Sequence, residues 1–121
     1  MSKRETVEEF QAERARLNGV VIKYAGLETK RFFSLDGQVY REGAWPVKFK
    51  ETLGLVASLV LRCDDCIKYH VARCFDEGVS DEEMQEALSI GLVVGGSIVI
   101  PHLRRAYDTW DELRQQGGAE K

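Results

Sequence analysis

Gly78-Val79-Ser80-Asp81-Glu82-Glu83-Met84 is the stretch on which the fold turns. Ser80 and Glu83 have the spacing of a capping box, and Val79 and Met84 occupy the two positions of a hydrophobic staple. Gly78, just before them, is the residue that most readily closes a preceding helix. One helix therefore ends and another begins within a few residues. Downstream, Met84, Ala87, Leu88, Gly91 and Leu92 recur at intervals of three and four, the period of an amphipathic helix.

The same reading extends in both directions. Upstream, a helix is predicted from about Cys63–Asp65, where acidic side chains favour the positive end of the helix dipole, to Glu77. Before it, Pro46 suits a first helical position, and Phe49, Leu53, Val56, Leu59 and Val60 line one face of a third helix reaching about Leu61, with Glu51 inside it. A second helix is expected beyond Gly26, with Phe32, Leu35 and Val39 in register and Gly43 as its stop. Thr6 with Glu9 reads as a capping box for a first helix, on which Phe10 and Leu17 share a face and which Asn18-Gly19 would end; Val20–Ala25 reads as either helix or a short extended piece. Pro101 breaks or kinks the backbone ladder, so a bent continuation or a sixth helix is expected to about Arg114. The expectation is an all-α, compact bundle of about six helices in one domain, 1–121: N-terminal helices over 1–43, a motif-bearing core over 44–114 and a frayed tail over 115–121.

Composition narrows the function. In 121 residues, 44% are hydrophobic, 31% are charged and 2 are proline, values of a folded chain rather than a disordered one. Lys+Arg number 17 against 20 Asp+Glu, a net charge of -3 with the basic residues scattered among acids, so no electrostatic footprint for nucleic acid exists. The nearly uncharged run from Ala87 to Ile100 is shorter than the roughly 20 residues of a membrane span and is interrupted by Gly95 and Gly96. Met1–Phe10 has charges and no apolar core, unlike a secretory signal, which makes a cytoplasmic location the expectation. The apolar run Ile90, Leu92, Val93, Val94, Ile98 and Ile100 occupies more than one helical face, which points to a homo-oligomer, with burial inside the protomer as the plainer alternative.

The chemistry is concentrated in Cys63-Asp64-Asp65-Cys66-Ile67-Lys68-Tyr69-His70. Two thiols stand three apart at a helix start, and His70 follows Cys66 by four, placing the two on one face one turn apart. An imidazole so placed takes a thiol proton directly or through one water, and the thiolate is the nucleophile. The helix end lowers a thiol pKa and Asp64 and Asp65 raise it by like charge, a balance the sequence does not decide, while His70 with Glu51 makes a lowered Cys66 pKa the expectation. If the third and fourth helices form a hairpin near Arg62, Glu51 lies about 16 Å back from the turn and His70 about 12 Å beyond it, so the two come level. A carboxylate there orients the imidazole. Each residue also has a plainer reading: a CxxC can be packing, Glu51 a surface residue, Cys74 a small core hydrophobe and His102 a packed or capping histidine. Cys63, Cys66, His70 and Cys74 do not form one zinc site, because Cys63 and Cys74 lie about 16 Å apart along a helix. A set of Cys63, Cys66 and His70 lacks a fourth protein ligand.

Glu51, eleven residues, Cys63, two residues, Cys66, three residues and His70 resembles the signature of the alkylhydroperoxidase D-like branch of the carboxymuconolactone decarboxylase family. Gly78–Glu83 and Gly95-Gly96 are similar too, so the resemblance spans roughly residues 44–112. It implies an all-helical protomer that assembles as trimers or hexamers and uses no metal or organic cofactor. It further implies thiol-dependent reduction of hydroperoxides, with Cys66 matching the attacking cysteine, Cys63 the resolving one, and Glu51 and His70 the proton-relay positions. The implied partners are a hydroperoxide or disulfide substrate and a thiol reductant, either a lipoylated protein, a thioredoxin-like protein or a small thiol. Asp65 departs from the His or aromatic residue common in peroxidase members, and its charge disfavours a Cys66 thiolate. Lactone decarboxylation, the family's other activity, and a non-enzymatic oligomeric redox sensor or scaffold are the alternatives.

Overall fold

Thr6 opens the first helix: its hydroxyl accepts the N–H of Glu9 at 3.1 Å while the Glu9 carboxylate accepts the N–H of Thr6 at 2.9 Å. Ser80 and Glu83 form the same reciprocal pair at the start of the fifth, satisfying backbone donors that the helix itself leaves free. In the computed structural model, which describes residues 4–117, the elements are α1 (Val7–Tyr24), α2 (Leu27–Val39), α3 (Val47–Val60), α4 (Asp64–Asp76), α5 (Asp81–Gly95) and α6 (Ile100–Gly117), with a 3-10 turn at Ser97–Val99 before α6. No strand occurs among the described residues, and no helix among them is long and apolar enough to cross a membrane.

α3 lies between α4 and α5, and α6 closes against the far side of α4. Leu55 and Leu59 of α3, Ile67 and Val71 of α4, Met84 and Leu88 of α5, Val99 and Ala106 make the centre of the core, each at most 2% exposed. Gly91 makes the α3–α5 approach possible, because a Cβ on it would stand 2.6 Å from Cδ2 of the buried Leu59. The glycine in the apolar run is therefore used inside the protomer. Trp110 ties α6 to the start of α5 by donating its indole N–H to Asp81 at 2.8 Å, and the Arg114 guanidinium pairs with the same carboxylate oxygen at 2.9 Å. α1 is held at its beginning, where the Val7 N–H donates to Glu112 at 2.8 Å and the Arg14 guanidinium lies 4.0 Å over the Tyr69 ring.

Several local expectations are corrected. Asn18-Gly19 does not end α1, which runs on to Tyr24 and stops at Ala25, whose N–H bonds to the Val21 carbonyl. A glycine costs about 1 kcal/mol in a helix interior, too little to end a helix whose ladder continues on both sides. Pro46 is the residue before α3 rather than its first. The buried line of α3 is Glu51, Leu55, Ser58 and Leu59, whereas Phe49 and Leu53 are exposed. Phe10 is buried but Leu17 is not, since only the first turns of α1 touch the body. Pro101 falls in the first turn of α6, where its missing N–H leaves no ladder bond broken, and so starts a helix instead of kinking one. α6 continues through 115–117, part of the expected frayed tail, whose remainder at 118–121 lies outside the described residues.

Replacing Gly91 with Ala should destabilise the fold by about 1–3 kcal/mol, because the new Cβ forces the fully buried Leu59 or the α3–α5 spacing to shift. A denaturant midpoint unchanged from that of the parent would show that α5 shifts freely along α3.

Candidate functional site

The turn between α3 and α4 sets the site. Arg62 adopts a left-handed backbone at φ 61°, reversing the chain, and the Cys63 N–H reaches back to the Ser58 carbonyl at 3.1 Å. α4 returns antiparallel along α3, so that Glu51 and His70, nineteen residues apart in sequence, meet: Nδ1 of His70 lies 2.8 Å from Oε1 of Glu51. Both are buried, Glu51 at 2% and His70 at 7% exposure. The second carboxylate oxygen of Glu51 faces the Arg73 guanidinium at 3.5 Å. A buried carboxylate is tolerated only with such partners. Because a carboxylate accepts, Nδ1 carries the hydrogen and the lone pair of the neutral ring is on Nε2.

Cys63 is the residue preceding α4, and its sulfur accepts the Cys66 N–H at 3.3 Å. The Cys66 sulfur lies 2.6 Å from that of Cys63, and both are free thiols. The lowered Cys66 pKa expected from His70 and Glu51 is not what this arrangement produces. Although Cys66 is exposed as a residue, its sulfur is turned toward Cys63, and partial burial pushes the thiol up to about 11. The hydrogen bond and charge of Cys63 and the charge of Asp65 act in the same direction, and the backbone N–H opposes them without prevailing. Cys66 is thus a protonated thiol at neutral pH and needs a base to become a nucleophile.

The hydrogen bonds of His70 run to Glu51 and, on its other nitrogen, to the hydroxyl of Tyr40 at 3.4 Å, and not directly to Cys66. Tyr40 was not discernible from the sequence: it follows α2, thirty residues before His70, and no periodicity links them. Burial, and after it the Glu51 charge, hold its phenol above the ordinary range, so the hydroxyl keeps its proton. Arg73 had a usable signal, three residues beyond His70 and hence on the same face of α4. Of the remaining candidates, Cys74 is fully buried beside Thr52, and burial pushes its thiol up to about 12, which makes it an inert core residue. His102 lies 2.8 Å from Asp64, and the Arg105 guanidinium donates to the same carboxylate at 3.0 Å. Burial alone would raise the Asp64 pKa, but these two bonds outweigh it and hold the carboxyl below its usual range. Of the two acids at the start of α4, Asp64 is thus paired by α6, while Asp65 acts on Cys66. Cys74 bonds to Thr52 and His102 to Asp64 rather than to either sulfur of the pair, and among the described residues no group of three or more His, Cys, Asp or Glu converges as a metal site.

The family model for carboxymuconolactone decarboxylases matches residues 26–109, which include both sulfurs and the Glu51–His70 pair. The chain belongs to the carboxymuconolactone decarboxylase family. Two crystal structures of one Thermotoga maritima protein, 60% identical to this chain, superpose with TM-scores of 0.89 and 0.87. They cover 91% and 90% of this chain, and the match spans 96% and 92% of theirs. One is described as a carboxymuconolactone decarboxylase family protein and a candidate in an antioxidative response. An apo protein of the family from Legionella pneumophila, 20% identical, shares the fold with a TM-score of 0.80 over 88% of this chain and 96% of its own. An uncharacterised protein of the cox locus of Paracoccus denitrificans is 26% identical over 82 residues, 68% of this chain and 74% of its own length. Membership of the carboxymuconolactone decarboxylase family thus joins an all-helical protomer to a dithiol and a buried carboxylate–imidazole pair.

Below a pKa of about 11 the alkylation rate of Cys66 should climb roughly tenfold per pH unit through neutral and mildly alkaline pH. Asp65→Asn, which removes a like charge, should raise that rate at pH 8 by roughly two- to fivefold. Iodoacetamide labelling with quantification of the Cys66 peptide checks both; a rate that is flat from pH 7 to 9 would contradict the raised pKa.

Proposed function

We propose that this carboxymuconolactone decarboxylase family protein is a thiol-dependent peroxidase that reduces organic hydroperoxides with the Cys63–Cys66 pair. The observation that carries the reading is the contact of two free thiols at the start of α4, one turn from a buried imidazole fixed by a carboxylate. Cys66 loses its proton toward His70 and attacks the outer peroxide oxygen. The sulfur gives two electrons, the O–O bond breaks, and the departing alkoxide takes up one proton, leaving a Cys66 sulfenic acid and an alcohol. Cys63 then attacks the Cys66 sulfur, water leaves, and a disulfide remains. The Cys66 N–H holds the Cys63 sulfur beside that of Cys66, which suits the resolving role. Glu51 keeps the Nδ1 hydrogen in place so that Nε2 serves as base. A dithiol reductant, a lipoylated or thioredoxin-like protein, returns the pair to its thiols, which fits a reducing, cytoplasmic setting.

The same reading includes a homo-oligomer, a hexamer or a trimer. Val93 is 83% exposed and Phe32 68%, and Leu27, Leu35, Val39, Ile90, Val94 and Ile98 are also uncovered in the single protomer. Apolar surface of this extent is typical of an interface.

Cumene hydroperoxide with dithiothreitol as reductant should be turned over by the parent and not by Cys66→Ser. Peroxide alone should remove two hydrogens from the peptide carrying both cysteines, whereas Cys63→Ser should accumulate a Cys66 sulfenic acid that dimedone traps. Turnover that survives Cys66→Ser would sink the peroxidase reading. Light scattering at low micromolar concentration should give a multiple of the 13.7 kDa chain mass; a mass equal to that of one chain would refute the oligomer.

A further inference from the structure

We infer that Tyr40 is a positioning residue for His70, holding the Nε2 lone pair of the imidazole through its phenolic hydroxyl and so setting when that nitrogen can take the thiol proton. The inference rests on the proton-relay reading above and adds a residue to it.

Three observations converge on this contact. The Glu51 carboxylate occupies Nδ1, leaving Nε2 as the acceptor of a neutral ring, and the Tyr40 hydroxyl is the group that meets it, at 3.4 Å. The Tyr40 ring also lies against the imidazole, with centroids 5.3 Å apart. The surface of α3 is hollowed to admit this contact: a Cβ on Gly54 would stand 2.6 Å from the Tyr40 hydroxyl oxygen and 2.8 and 2.9 Å from Cε1 and Nε2 of His70. Any side chain at 54 would have to displace the phenol or the imidazole. Finally, the backbone on either side of Tyr40 is anchored. The Lys50 ammonium donates to the Val39 carbonyl at 2.9 Å and to the Arg41 carbonyl at 2.7 Å, the two residues that flank the tyrosine. α2 itself buries no residue, so this clamp from α3 fixes the phenol where the rest of the helix does not.

Chemically, the hydroxyl donates to the neutral imidazole and must rotate to accept when Nε2 becomes protonated. Removing it leaves the lone pair exposed to water and unoriented, while the Nδ1 bond to Glu51 persists. The raised phenol pKa keeps Tyr40 a donor across the working range of the thiols. The proton accepted at Nε2 is the one delivered to the departing alkoxide, so no additional reactant is required.

The test is Tyr40→Phe, which keeps the ring and removes only the oxygen, with Lys50→Met as a second variant that releases the backbone on either side of the phenol without touching the imidazole. Imidazole nitrogen resonances of His70, followed from pH 5 to 9 on the uniformly 15N-labelled protein, read the contact without any peroxide chemistry. Both variants should shift the Nε2 resonance and the His70 titration midpoint and leave the Nδ1 resonance in its hydrogen-bonded position. Peroxide turnover should fall roughly five- to twentyfold in Tyr40→Phe, with its pH profile displaced in the direction of the His70 midpoint. A His70 titration and Nε2 resonance identical to the parent's in Tyr40→Phe would overturn the inference. If the parent itself shows no peroxide turnover, the peroxidase reading falls, and the nitrogen resonances still decide whether Tyr40 governs His70.

Discussion

The hydrogen bond between Glu51 and His70 is the constraint around which the rest is arranged. Two ionisable side chains are withdrawn from water between α3 and α4, and neither is tolerated there alone. Breaking such a pair on one side typically costs 3–5 kcal/mol, because the remaining group stays buried without a partner. The turn at Arg62, the small residues Gly54 and Ser58 on the facing side of α3, and Arg73 one turn further along α4 all serve this juxtaposition. The hydrophobic core below it, Leu55, Leu59, Ile67 and Val71, aligns the same two helices. Placement of the candidate site and folding therefore draw on one interface, and a change in helix register would disturb both.

Around this interface the electrostatics are graded. Asp64 and Asp65 both stand at the start of α4, yet Asp64 is neutralised by His102 and Arg105 from α6, while Asp65 remains to act on Cys66. α6 thus pairs one of the two acids that stand beside the dithiol. The raised Cys66 pKa and the fixed imidazole are complementary, since a thiol that does not ionise by itself is one for which a base matters.

Legibility in the sequence followed the range of each interaction. The capping boxes at Thr6–Glu9 and Ser80–Glu83 are three-residue devices, and both were readable directly. The level placement of Glu51 and His70 followed from counting helical rise on either side of an expected hairpin, a calculation that needs only one turn to be correct. The raised Cys66 pKa was not readable, because it depends on how far the sulfur is turned toward Cys63 and out of water. Tyr40 and Lys50 were not readable either: their meeting with His70 and the α2 terminus depends on how a chain of loop residues folds back on α3, which no local pattern encodes. The apolar face of α2 was legible as periodicity but misleading as to burial, for nothing among the described residues buries it.

Cys63 is at once one sulfur of the pair and the side chain that caps α4. In the proposed peroxidase cycle the free energy of a helix cap and the free energy of a redox couple are therefore carried by the same atom. Thermodynamic linkage makes them reciprocal: whatever the cap loses when the sulfur changes oxidation state reappears as an equal change in the midpoint potential of the couple. In that cycle, substitutions in the first turn of α4, even those that leave both thiols untouched, would tune the potential through helix stability, and the resistance of that turn to unfolding would register the oxidation state.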